Sequence, residues 1–268
     1  MGISITLQEA MDAFVGQQEQ AKSSDKVQAD MCLETLGQYL IHYSDLFQDM
    51  DFGDEPDFAE WEEGLEEHMM ALFDGDVEPS GDLGTLPLNE LDSEHVRDFL
   101  GWFVLRETSD AELIQAYADI LRDFVDFVHE RGWWEHGKYQ EFLEILAEVA
   151  PEAVRAARLS RVLFHFVRSG GGMSPRVRGK QFSRFVEGHA RALRIEKNAL
   201  YLNFDNQGAE IGPLALPSAI MDMVALNDVF DVELGLRGDA WVLLDIGPIY
   251  PACVYVEVEE YEGLEKLS

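Results

Sequence analysis

The chain has 268 residues, 52 acidic and 20 basic side chains, a formal net charge of −32 and 47% apolar residues. That apolar share supports a real core, which excludes a disordered acidic chain, and the length suits one large domain or two modest ones. No apolar run reaches the roughly 20 residues of a membrane span, the N-terminus lacks a signal-peptide pattern, and two cysteines, Cys32 and Cys253, exclude a disulfide scaffold or cysteine-based zinc site. The expectation is a soluble, cytoplasmic protein of bacterial style with no membrane partner.

The first 150 residues read as helices. Gln8–Ala21 is a short amphipathic segment, and Asp25–Phe47 a longer one carrying Val27, Met31, Leu36, Leu40, Ile41 and Phe47. Asp57–Phe73 follows, with Trp61, Leu65, Met69 and Leu72 near helical spacing. Asp74–Asn89 contains three Gly and two Pro and reads as a loop. Asp92 is set as the N-cap of a helix through Leu105. Ser109 and Glu112 have the spacing of a capping box. The stripe Leu113, Tyr117, Ile120, Leu121, Phe124 and Val128 follows them, and Gly132 supplies a stop. A further helix, about Lys138–Ala150, ends at Pro151, which opens the next one, running to Arg168.

Beyond Ser169–Gly172 the period falls from 3.6 towards 2. Leu193/Ile195 and Leu200/Leu202/Phe204 flank a turn at Lys197-Asn198, and Asn206–Gly208 reads as another turn. Ile211–Leu216 is a strand ended by Pro217, and Ser218–Ala225 supplies a short helix. Phe230, Val232, Leu234 and Leu236 alternate with polar residues or glycine, Gly238-Asp239 turns the chain, and Trp241–Ile246 and Cys253–Val258 complete the strands. The fold class expected is α+β: an all-α domain over 1–168, a Gly-rich linker over 169–175, and a small antiparallel β-barrel or curled sheet over 176–268.

The charge is unevenly placed. Residues 1–150 carry 36 acidic and 7 basic side chains, 151–200 carry 3 and 11, and 201–268 carry 13 and 2. The positive block argues against a uniformly acidic, high-salt surface. On a helix, Arg155, Arg158, Arg161, His165 and Arg168 fall within roughly 140°. Arg176, Arg178, Lys180, Arg184, Arg191 and Arg194 follow, with Phe182 and Phe185 between them. These arginines either neutralise the acidic helices or face water as a binding patch. The patch suits an unknown protein partner. The alternative is a nucleic-acid-associated regulator, which uses arginine with aromatics for phosphate contact and stacking but is disfavoured by the net charge.

Other constellations are weaker. Asp49–Glu60 sets carboxylates at positions 1, 3, 9 and 12, as an EF-hand requires, but Gly53 sits at position 5 and Asp54 at position 6, where glycine belongs. It reads as a solvated loop. His129, Glu130, Trp133, Trp134, Glu135 and His136 cluster without zinc-site spacing and read as a helix cap with packed tryptophans. Gly172–Gln181 has six residues between its glycines and no magnesium-binding hydroxyl, so it is not a P-loop. Arg237-Gly238-Asp239 reads as a hairpin turn, and the Met1-Gly2…Thr6 myristoylation match is discounted. No nucleophile elbow, paired-histidine zinc motif or dinucleotide fingerprint is present. No cofactor, catalytic residue or metal ligand is assigned. The reading is a non-enzymatic interaction or regulatory protein; a hydrolase with a carboxylate or metal site is the second alternative.

Leu91–Trp134, about a sixth of the chain, resembles the helical core-binding domain of tyrosine recombinases. The similar features are a short helix, the start Ser109-Asp-Ala-Glu112, a central Tyr117 and the step Leu121-Arg-Asp-Phe124. The resemblance implies a helix hairpin. The recombinase catalytic set has no counterpart downstream, and this stretch is acidic where a DNA clamp is basic, so no DNA chemistry is carried over.

Overall fold

The computed structural model describes residues 5–18, 23–44, 82–171, 181–204 and 210–261. It is a mixed helix and sheet protein, helical in its N-terminal part and sheet-forming in its C-terminal part. The helices are α1 (Leu7–Gln18), α2 (Ser23–His42), α3 (93–107), α4 (Ala111–Glu130), α5 (His136–Arg168) and the single turn α6 (Ser218–Met221). The strands are β1 (Phe182–Glu196), β2 (Ala199–Asn203), β3 (Ile211–Ala215), β4 (Val229–Arg237), β5 (Ala240–Tyr250) and the short β6 (Glu259–Glu260). By contact the chain divides into two compact units, Met1–His95 with Asp123–Tyr139, and Val96–Arg122 with Gln140–Ser268. The boundary expected at 169–175 follows composition, whereas these units interleave along the chain.

In the first unit, α1 opens on a capping box. The Glu9 N–H donates to Thr6 Oγ1 at 3.2 Å and the Thr6 N–H to Glu9 Oε2 at 2.9 Å. Its stripe Leu7, Ala10, Met11 and Phe14 is buried. The Phe14 ring meets Phe124 and Phe127 edge-on, with centroids 5.6 and 5.5 Å apart. Cys32, Leu36 and Leu40 of α2 are buried as their spacing requires. The expected helix Asp57–Phe73 and the acidic loop Asp49–Glu60 lie outside the described residues.

Three helical expectations need correction. The N-cap of α4 is Asp110, whose Oδ1 accepts from the N–H groups of Glu112 and Leu113 at 3.0 and 3.4 Å; Ser109 does not form the box. Asp competes as well as Ser for this position, and its neighbour Thr108 orients it by accepting the Asp110 N–H. Second, α3 contains a π-helical turn at Phe99–Phe103 between regular turns. Third, α5 is one helix through Pro151. The proline leaves Ala147's carbonyl without its helical donor, but both residues are exposed and water can serve instead. Gly132, at φ +69°, ends α4 as expected.

In the second unit, β1 pairs antiparallel with both β2 and β4, β2 with β3, and β4 with β5. The sheet is mixed, not wholly antiparallel, because β3 runs parallel to β5 at Leu214↔Trp241. The Lys197-Asn198 and Gly238-Asp239 turns stand where expected. By contrast, β1 is a 15-residue strand that begins at Phe182, well before the alternation is visible. Its inward positions there include Gly188, Ala190 and Ala192, too small to register as an apolar pattern. Cys253–Val258 is not a ladder strand. Val254, Val256 and Val258 are buried on alternate positions, but Val256 and Val258 pack with Val229, Tyr250 and Trp102. The chain pairs only at β6, which crosses β1 over Gly188, where a Cβ would lie 2.1 Å from the Glu259 carbonyl oxygen. No helix among the described residues is long and apolar enough to cross a membrane.

Candidate functional site

The arginines of the positive block divide sharply once their surroundings are known. Arg155, on the inner part of α5, donates to Asp228 Oδ1 and Oδ2 at 2.7 and 2.8 Å and to the Met223 carbonyl at 2.8 Å. Asp228 is 0% exposed and also accepts the Ala225 N–H at 2.8 Å. Burial pushes its carboxyl above the usual aspartate range, while the hydrogen bonds from Arg155 and the Ala225 N–H pull it back. Glu152 adds a second carboxylate 2.7 Å from the Arg155 guanidinium. This arginine is therefore committed to architecture, tying α5 to the segment between α6 and β4.

One turn further on, the environment changes. Arg158, Arg161, His165 and Arg168 are exposed. Arg158 and Arg161 form no ion pair among the described residues, and Arg168 lies over the Phe164 ring at 4.9 Å. Val162 and Phe164 are themselves 40% and 39% exposed. The opposite face of these turns holds the buried Leu159 and Leu163, and Ser160 donates to the Gly247 carbonyl of β5 at 3.0 Å. The helix is thus anchored by one face and presents cations and two apolar side chains on the other.

The sheet arginines behave differently again. Arg194 is bound by Glu210 at 2.8 Å through two nitrogens, also pairs with Glu196, and stacks on Tyr201. Its hydrogen bond from the guanidinium holds the Glu210 carboxyl below its ordinary value. Arg191 is half-buried. Arg184 lies 5.8 Å from the Trp241 ring centre and 4.0 Å from Glu260. Arg237 covers Phe182 at 4.7 Å, and Phe182 lies over Gly235, beside the 57% exposed Phe185. Arg176, Arg178 and Lys180 lie outside the described residues.

Sequence reading missed a row of carboxylates. The β1–β4 ladder sets Glu187 opposite Glu233, and the β4–β5 ladder sets Glu233 opposite Asp245. With Asp231 they line a depression of about 180 Å³. Burial is the main reason the Asp231 and Glu233 carboxyls are pushed up, and neighbouring carboxylates add to it; His189 opposes the rise at Asp231. A straight ladder from the Gly238 turn would pair Glu233 with Leu244. A bulge between Glu233 and Leu234 moves Asp245 into place, and no composition pattern reveals that shift.

The histidine and tryptophan cluster resolves as packing. His129 stacks on Tyr139 at 4.1 Å, Tyr139 donates to Asp126 at 2.8 Å, Trp134 is buried, and Trp133 meets Phe127 edge-on. His129 and His136 have ring centres 5.6 Å apart. Among the described residues, no group of three or more His, Cys, Asp or Glu is placed to hold a metal ion. In the first unit a groove of about 520 Å³ between α1 and α2 is lined by Met11, Leu33 and Ile41 with Asp12, Asp30 and Glu34. No protein-family profile matches the chain, and no curated protein is significantly similar to it in sequence.

Proposed function

We propose that this is a non-enzymatic interaction protein that docks a negatively charged partner protein on the exposed basic face of α5. The observation that carries the reading is the state of Arg158 and Arg161, which stay solvated and unpaired among the described residues of a chain holding 52 carboxylates. Arg155 shows what a neutralised arginine looks like in the same helix. Exposed arginines beside apolar side chains have the composition of interface anchors. A cytoplasmic setting fits the two free thiols, Cys32 and Cys253, both pushed up by burial and so held in the unreactive form.

The test is anisotropy of labelled polyglutamate with the full chain in about 0.15 M salt. Charge reversal in Arg158→Glu/Arg161→Glu is expected to weaken binding at least tenfold. Equal binding by the variant and the parent protein would sink the reading.

A second reading, single-stranded nucleic-acid binding, draws on the sheet. Within the set β1 to β5 each strand pairs with two others, and the pairings return from β4 to β1, which supports a small closed barrel. Five-stranded barrels of the OB type bind oligonucleotides and oligosaccharides, although fold analogy by itself carries no function. The rings of Phe182 and Phe185 beside Arg237 offer stacking. Against it, the Glu187–Glu233–Asp245 row shares β1 and β4 with those rings and Arg237 and repels phosphates, and Arg194 is already neutralised.

A further inference from the structure

We infer that the partner's docking element is an acidic amphipathic helix of about three turns, lying along Arg158–Arg168 of α5; this rests on the basic-face reading above. Projected at 100° per residue, Phe164, Arg168, Arg161, His165, Arg158 and Val162 occupy a continuous arc of about 160°. Three arginines and His165 fill the middle of the arc, and the two exposed apolar side chains mark its edges. A docked element therefore meets positive charge along its centre line and apolar contact on both flanks.

Spacing selects a helix as the complement. Arg158, Arg161, His165 and Arg168 stand at i, i+3, i+7 and i+10, covering about 15 Å at 1.5 Å per residue. A second helix repeats this spacing, so carboxylates at its own i, i+3, i+7 and i+10 keep register with the three arginines and with the ring N–H of His165. An extended strand places same-face carboxylates about 6.7 Å apart. By its fourth carboxylate it has run about 5 Å beyond Arg168. Leucine or phenylalanine beside the acidic stripe then packs on Val162 and Phe164, as ridges of one helix enter the grooves of another.

The net charge of the chain gives this contact an unusual salt response. At 0.01 M salt the screening length is about 30 Å, so an acidic helix feels the repulsion of the whole −32 molecule. At 0.15 M it shrinks to about 8 Å, and the close arginine–carboxylate pairs dominate. Affinity rises and then falls as salt increases.

The experiment uses the full chain and three labelled probes: a Glu/Leu peptide with glutamates at i, i+3, i+7 and i+10, its composition-matched scramble, and polyglutamate of equal length. The patterned peptide is expected to bind at least tenfold tighter than the scramble, with an affinity maximum between about 0.05 and 0.2 M salt. In Val162→Ser/Phe164→Ser that preference should drop to about onefold, while polyglutamate binding holds within threefold. Both positions are exposed, and circular dichroism checks that the helix survives. If polyglutamate binds through Arg158 and Arg161 but the patterned peptide gains nothing over its scramble, the helix inference is overturned and the basic-face reading stands. If no acidic probe binds, or if oligothymidylate binds tighter than the patterned peptide, both fall.

Discussion

At the scale of single residues, the most unusual feature is three carboxylates set side by side across β1, β4 and β5. Like charges directly opposite in a sheet are destabilising, and the resolved shifts of Asp231 and Glu233 both run upward, chiefly through burial. A folded-state pKa above the ordinary value, 3.8 for Asp and 4.5 for Glu, means that the native protein binds more protons across that window. Stability contributed by this row is therefore greatest in acid and falls as pH rises from the ordinary carboxylate values through the folded ones. Glu233→Gln is expected to stabilise the protein at pH 7 by roughly 0.2–1 kcal/mol per opposed pair relieved. The gain should vanish near pH 4. Urea unfolding at the two pH values measures it, and a gain that persists unchanged in acid would show that charge is not the cause.

At the scale of elements, Arg155 and Asp228 decide how the inner half of α5 is held to the sheet. The segment 222–228 folds back on itself, with Asn227 at φ 67°, and delivers Asp228 and the Met223 carbonyl to one guanidinium. Removing one member of a buried pair strands the other, at about 3–5 kcal/mol. Arg155 keeps Glu152 and is 22% exposed, which places Asp228→Asn near the low end, at about 3 kcal/mol. The loss should appear as a lower urea midpoint. A double change, Arg155→Met/Asp228→Leu, is expected to cost less than Asp228→Asn alone, because the one carboxylate it leaves without Arg155, Glu152, is 41% exposed and reaches water. Equal cost for both variants would argue that shape, not charge, matters here.

Much at this scale was legible. Helices α1, α2 and α4 and strand β4 follow the 3.6 and 2 periods because each buries one continuous face. Two failures have a common origin. The middle of β1 buries Gly188, Ala190 and Ala192, and Val254–Val258 alternates in burial without pairing along its length. Periodicity reports which side chains are buried and says nothing of which backbone partners are present.

For the whole molecule, 52 acidic against 20 basic side chains make self-repulsion a permanent load on the folded state. Raising sodium chloride from about 0.01 to 0.15 M shortens the screening length from about 30 to 8 Å. The melting temperature should therefore climb by several degrees over that range, as calorimetry would register. A fall would mean that the specific pairs of Arg155 and Arg194 outweigh the general repulsion.

The sequence by itself determined the charge gradient, the helical beginning, the strands towards the end, and the arginine stripe of α5. All of these depend on neighbours within about three turns of chain. Only the tertiary structure decided which arginines are ion-paired and which, among the described residues, are not. The side chains that claim Arg155 and Arg194 come from Asp228 and Glu210, 73 and 16 residues away. Ion pairing acts over a few ångströms of space, whatever the distance along the chain. The same holds for the carboxylate row, assembled by three strands and one bulge.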